Sequence, residues 1–162
     1  MTVDVPDAVK GHTVKIMVRY SSVLHGNYNT SDYTFDRTVS FPAKDSRNSM
    51  DYFQQEGDHL RAVGWQIGMY TENKPYRYAI VMNAATNTEL NRAKITTVDR
   101  PDVTKYYSNF PNSTKSGFNV TIPVTDNMKG KNVFLILRYS SDPKGDYGTV
   151  DSWANKYVIT VK

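Results

Sequence analysis

Cysteine is absent from the 162 residues, which removes disulfides, zinc–thiolate sites and thiol nucleophiles together. Glutamate is nearly absent: only Glu56, Glu72 and Glu89 occur, against 13 aspartates. A chain poor in Glu and rich in Tyr, Thr, Asn and Ser favours strands and turns over helices. Long apolar runs are missing too. The longest, Ala79–Met82 and Val133–Leu137, fall far short of the roughly 20 residues that cross a bilayer as a helix, so no membrane span is expected. The first ten residues lack a basic stretch followed by an apolar one and do not read as a signal peptide.

Histidine is scarce, and its placement argues against catalysis. Of His12, His25 and His59, none stands in a pattern that orients a serine triad or spaces ligands for zinc. Glycine-rich phosphate loops are lacking, and the aspartates form no pair with a diagnostic glycosidase context. The chain reads as non-enzymatic, with no cofactor. Twenty Lys+Arg against 16 Asp+Glu give a net charge of +4, spread without a basic block. That suits attraction to a polyanionic surface better than nucleic-acid binding, which clusters its charge.

What is present is a repeat. Residues 10–39 and 129–158 align at a constant offset of 119 with 12 identities in 30 positions, where unrelated segments match at about one in fifteen. The identities include Arg19/Arg138, Tyr20/Tyr139, Gly26/Gly145, Tyr28/Tyr147 and Asp32/Asp151. Such a period is the size of a domain, not of a solenoid unit. The chain therefore divides into a partial repeat, residues 1–41, and a complete module, residues 42–162.

In the complete module, strands are expected at Ser49–Gln54, His59–Ile67, Tyr76–Met82, Glu89–Val98, Gly117–Pro123, Lys131–Tyr139 and Tyr157–Lys162, with hairpin turns at Glu56-Gly57-Asp58 and at residues 83–88. The run Val133–Tyr139 alternates apolar residues on both faces and predicts a central, doubly covered strand. Val103–Ser108 is expected to form one helical turn, capped by Asp102. About seven short strands predict an antiparallel, immunoglobulin-like β-sandwich, with a small barrel as the alternative. The partial repeat predicts about three strands, near Val3–Val5, Thr13–Tyr20 and Tyr33–Phe41.

Three stretches combine planar rings with carboxylates and arginines, the groups that grip a sugar's CH face and its hydroxyls. The first runs from Arg138 to Trp153 and offers Arg138, Asp142, Tyr147, Asp151 and Trp153. Each of these also has a structural reading, with Arg138–Asp151 as an ion pair and the rings as caps; convergence of Asp142, Asp146 and Asp151 on calcium is a lesser option. The second holds Trp65, preceded by Gly64 as at a bulge or close approach, and Tyr70; a tryptophan on a sandwich strand is also a natural core residue. The third supplies Arg100, Asp102 and Tyr106. These ten residues are the candidate ligand contacts.

The ordered motifs Gly64-Trp65, Lys74-Pro-Tyr-Arg-Tyr78, Arg100-Pro-Asp-Val103, Lys115-Ser-Gly-Phe-Asn-Val120, Arg138-Tyr-Ser-Ser-Asp-Pro-Lys-Gly145 and Val150-Asp-Ser-Trp153 resemble a repeated module of secreted, cell-wall-associated proteins of lactobacilli and their relatives, also found behind wall lysins and other extracellular enzymes. Gln66, where a histidine is expected, and Ser152, where an aromatic is usual, depart from that pattern. The resemblance implies an exported surface protein carrying further copies of the module, which bind glycan, exopolysaccharide or an anionic polymer such as teichoic acid. A structural spacer or protein-adhesion module is the alternative.

Overall fold

The computed structural model describes residues 5–162. It is all-β and antiparallel, and its described residues separate into two compact units, 5–44 and 45–162. Val3 and Asp4, where a first strand was expected, lie outside the described residues; Val5 is not in a strand.

The N-terminal unit is a hairpin of two strands, β1 (Thr13–Ser21) and β2 (Thr30–Ser40), preceded by a single helical turn at Asp7–Val9. The C-terminal unit holds nine strands: β3 (Ser46–Glu56), β4 (His59–Gly68), β5 (Tyr76–Asn83), β6 (Glu89–Lys94), β7 (Thr97–Val98), β8 (Gly117–Pro123), β9 (Asn132–Ser140), β10 (Thr149–Trp153) and β11 (Ile159–Thr160). One sheet has the order β10-β9-β5-β6, with β11 also on β9; the other has the order β3-β4-β8-β7. Phe53, Leu60 and Ile122 from the second sheet and Val81, Leu135 and Leu137 from the first belong to one buried cluster, so the two sheets share a core.

The strand count exceeds the expected seven for two reasons. Glu89–Val98 is not continuous: Ile95 is buried and its N–H donates to the Arg77 carbonyl, and there the chain leaves one sheet for the other. Thr149–Trp153, expected as part of a connection, pairs with β9 from Thr149↔Ser140 to Trp153↔Ile136. The closing strand is only two residues long. Pro101 occupies the first helical position, where its missing N–H costs nothing, so the helix α1 runs Pro101–Tyr106. Arg100 therefore takes the capping position and Asp102 falls inside the first turn, without capping it.

β9 is covered on both faces. Val133, Leu135 and Leu137 enter the inter-sheet core, while Phe134 and Ile136 pack with Tyr78, Ile80 and Met82 on the other side. Gly64 faces a bulge between Met50 and Tyr52, and a Cβ there would lie 2.2 Å from the Ser49 carbonyl oxygen. Only glycine fits.

A buried polar layer also joins the sheets. Arg77, on β5, donates to the carbonyls of Lys115, Ser116 and Gly117 at 2.9–3.2 Å and lies 4.7 Å from the Tyr139 ring centre. Burial pulls its pKa down, and the carbonyl dipoles compensate the charge. The Tyr139 hydroxyl donates to the Gln66 carbonyl at 2.9 Å, and the Gln66 amide donates to the Leu137 carbonyl at 2.7 Å.

Candidate functional site

The loop between β9 and β10 is organised from within. Arg138 donates through Nε and Nη2 to the two carboxylate oxygens of Asp151 at 2.7 and 2.6 Å, and through Nη1 to the Gly145 carbonyl at 2.9 Å. Gly145 has a φ of +82°, the left-handed region that glycine enters without strain. Asp142 accepts the backbone N–H groups of Lys144 and Asp146, and Asp146 pairs with Arg92. The Ser140 hydroxyl donates to the Tyr147 carbonyl at 2.8 Å, while the Tyr147 ring stands in solvent. Asp142, Asp146 and Asp151 thus turn to different partners. Among the described residues no cluster of three acidic or histidine side chains is placed to hold a metal ion.

Arg100 is occupied as well. It forks onto Asp102 at 2.9 and 2.7 Å and reaches Asp51 at 2.7 Å. Those bonds hold the Asp102 carboxyl at about 2, below its ordinary 3.8. Tyr70 sits in the β4–β5 connection at a φ of +62°.

Trp65, Asp151 and Trp153 meet elsewhere, at the seam where β3 and β4 of one sheet approach β10 of the other. They line an open groove of about 600 Å³ together with Arg47, Tyr107 and Lys156. Asn48 ties the seam, its amide donating to the Ser152 hydroxyl at 2.6 Å and to the Trp153 carbonyl at 3.2 Å. The Ser46 hydroxyl donates to the Asp151 carbonyl at 2.8 Å.

The aromatic residues that border the groove are held by packing. Trp153 is 48% exposed and stacks on Phe134, with centres 5.7 Å apart and planes 29° apart. Trp65 is half-buried against the Ile67–Val103–Phe110 cluster and lies 5.6 Å from the Tyr107 ring. Arg47 lies over Tyr107 and Phe110 and pairs with Asp45 at 2.9 Å. Beyond Trp65 and Tyr107 a second hollow of about 530 Å³ is walled by Asp102, Val103 and Tyr106. Tyr106 is well exposed.

Five of the ten candidate residues thus border these two adjoining hollows: Trp65, Asp102, Tyr106, Asp151 and Trp153. Arg100 sits beside them through Asp102. Arg138 reaches the groove only through Asp151, and Asp142 and Tyr147 organise or decorate the β9–β10 loop. The groove adds Arg47, Asn48, Tyr107, Asn155 and Lys156, which are not among the ten candidate contacts. Tyr107 had a visible signal in its adjacency to Tyr106; the others had none, because the two sides of the seam are about 105 positions apart.

No protein-family description matches this chain, and neither a curated protein nor a solved structure is significantly similar to it. The geometry of the groove therefore carries the functional reading. No helix among the described residues is long and apolar enough to cross a membrane.

Proposed function

We propose that the C-terminal unit is an immunoglobulin-like sandwich module that binds carbohydrate or an anionic cell-wall polymer, without catalysis, in an exported bacterial surface protein. The observation that carries this reading is the seam groove, where Trp65, Tyr107 and Trp153 border one open surface with Arg47, Asn48, Asn155 and Lys156 around them. Held rings give a sugar's CH face a flat platform without losing rotamer freedom on binding, while amides and cations meet hydroxyls and acid groups. An open, shallow groove suits a chain entering and leaving at both ends. Affinity at a single groove is expected to be weak, with further module copies supplying avidity.

The test is affinity electrophoresis and a pull-down on purified envelope fractions: polysaccharide, teichoic acid and peptidoglycan. Retention on at least one fraction is expected, together with its loss in Trp153→Ala and Trp65→Ala proteins that keep their thermal transition. Equal retention by the wild type and both variants would remove the groove from the account.

One observation favours a second reading. Arg138, Asp142, Asp146 and Arg92 are consumed by bonds within the unit, as in a module that only spaces other domains. Blank results on every envelope fraction and on a glycan array would favour that spacer or protein-adhesion role.

A further inference from the structure

The hairpin of the N-terminal unit repeats the pairing and the Arg–Asp fork of the β9–β10 hairpin. Met17↔Thr34, Arg19↔Asp32 and Ser21↔Thr30 are the counterparts, 119 residues earlier, of Ile136↔Trp153, Arg138↔Asp151 and Ser140↔Thr149. Arg19 forks onto Asp32 at 2.7 and 2.7 Å and reaches the Gly26 carbonyl, as Arg138 does with Asp151 and Gly145. The Ser21 hydroxyl donates to the Tyr28 carbonyl at 2.9 Å. The preceding turn is duplicated too: Lys10 pairs with Asp7 as Lys129 pairs with Asp126, both at 2.6–2.7 Å.

The surroundings differ completely. β9 pairs with β5 along one edge and β10 along the other, whereas among the described residues β1 pairs with β2 alone. Leu135, Leu137 and Tyr139 are 0–2% exposed, while their counterparts Ile16, Val18 and Tyr20 are 49%, 42% and 72% exposed. Phe35, whose counterpart Ala154 is buried, is 43% exposed. An isolated two-stranded hairpin is marginal in water, and an open edge with apolar residues along it is a template for strand addition.

We propose that the free edge of β1 and the bare face of this hairpin form a docking surface for a polypeptide segment built like residues 45–125. The occupant follows from the duplication. In the C-terminal unit it is this segment that supplies β5 to the edge of β9 and β3, β4 and β8 to the face beneath it. By the same offset, a strand patterned like Tyr76–Asn83 pairs with β1 in the register that places its Tyr78 position opposite Arg19 and its Ile80 position opposite Met17. A second copy of this chain is a poorer occupant, because its own residues 45–125 are already filled by β9.

The test joins residues 45–125 ahead of residue 7 of the chain, which copies the natural 125–126 junction, and compares hydrogen exchange with that of the 162-residue protein. In the 162-residue protein the β1 amides not bonded to β2 are expected to exchange freely. In the joined chain they are expected to slow by about 100-fold or more, with exchange in residues 45–162 of the original unit unchanged. Val18→Asp in the joined chain is expected to abolish the new protection of β1 alone. Three results would each overturn the proposal: β1 amides no slower in the joined chain, whether it is soluble or aggregated; β1 already protected in the 162-residue protein; or concentration-dependent dimerisation of the 162-residue protein abolished by Val18→Asp.

Discussion

Arg138 and Asp151 stand directly opposite each other on β9 and β10, and two hydrogen bonds of 2.7 and 2.6 Å join guanidinium to carboxylate. Both side chains are about a fifth exposed, so removing one leaves a charge in poorly solvated surroundings. Arg138→Ala is expected to destabilise the C-terminal unit by about 2 kcal/mol, read from its urea midpoint. Arg19→Ala, which breaks the more exposed counterpart pair in the N-terminal unit, should cost less. Equal losses would mean that burial does not set the strength of this fork.

The approach of β3 to β4 is set by the missing side chain of Gly64. Gly64→Ala brings a methyl group to 2.2 Å from the Ser49 carbonyl, a backbone clash that no rotamer relieves. A loss of roughly 2–3 kcal/mol is expected, measured by thermal or urea unfolding. A neutral Gly64→Ala would show that the bulge at Met50/Tyr52 can open without cost.

Acid should weaken the α1 corner in a defined window. The hydrogen bonds from Arg100 hold Asp102 at about 2, below its ordinary 3.8. A carboxyl whose pKa is lowered on folding stabilises the fold above its unfolded value, and that contribution disappears as pH falls through the folded value. The stability gap between wild type and Asp102→Asn is therefore expected to be full above about pH 5 and to close by about pH 2. Urea midpoints at half-unit pH intervals would show this, and a gap that does not change with pH would contradict it.

Both tryptophans of the chain border the groove. Intrinsic fluorescence is therefore expected to change when a glycan or polymer binds, and the change should be reduced in Trp153→Ala. With Arg47 and Lys156 at the rim, retention on an acidic polymer should fall as NaCl rises from about 0.05 to about 0.5 M, where screening lengths drop to a few ångströms. Retention on a neutral glycan should not change. An acidic polymer retained equally at both salt concentrations would exclude a role for these cations.

The sequence made the strands with alternating or doubly apolar patterns legible: β4, β5, β8 and β9 lie within a residue or so of their expected ends. β10 escaped because Thr149–Trp153 carries Asp151, which reads as a ligand or loop residue until Arg138 is placed across from it. β6 and β7 read as one strand because a buried residue that transfers the chain between sheets, Ile95, looks like any other apolar strand position. At the candidate site the rings were visible as residue types. Their assembly was not, since Asn48 and Ser152 meet only when the sheets pack, and nothing local in either segment encodes the other. The duplication was legible, but not its consequence: identical residues such as Tyr20 and Tyr139 ended in opposite environments because, among the described residues, only the second copy has strands beyond its own hairpin and a sheet facing it.

Trp65 and Trp153 belong to different sheets. A saccharide chain held at both residues would tie the two layers at their rim, adding to the shared core and to the Asn48 and Ser46 bonds that already join them. An occupied module would then tolerate more pulling force before β3 and β10 separate than an empty one.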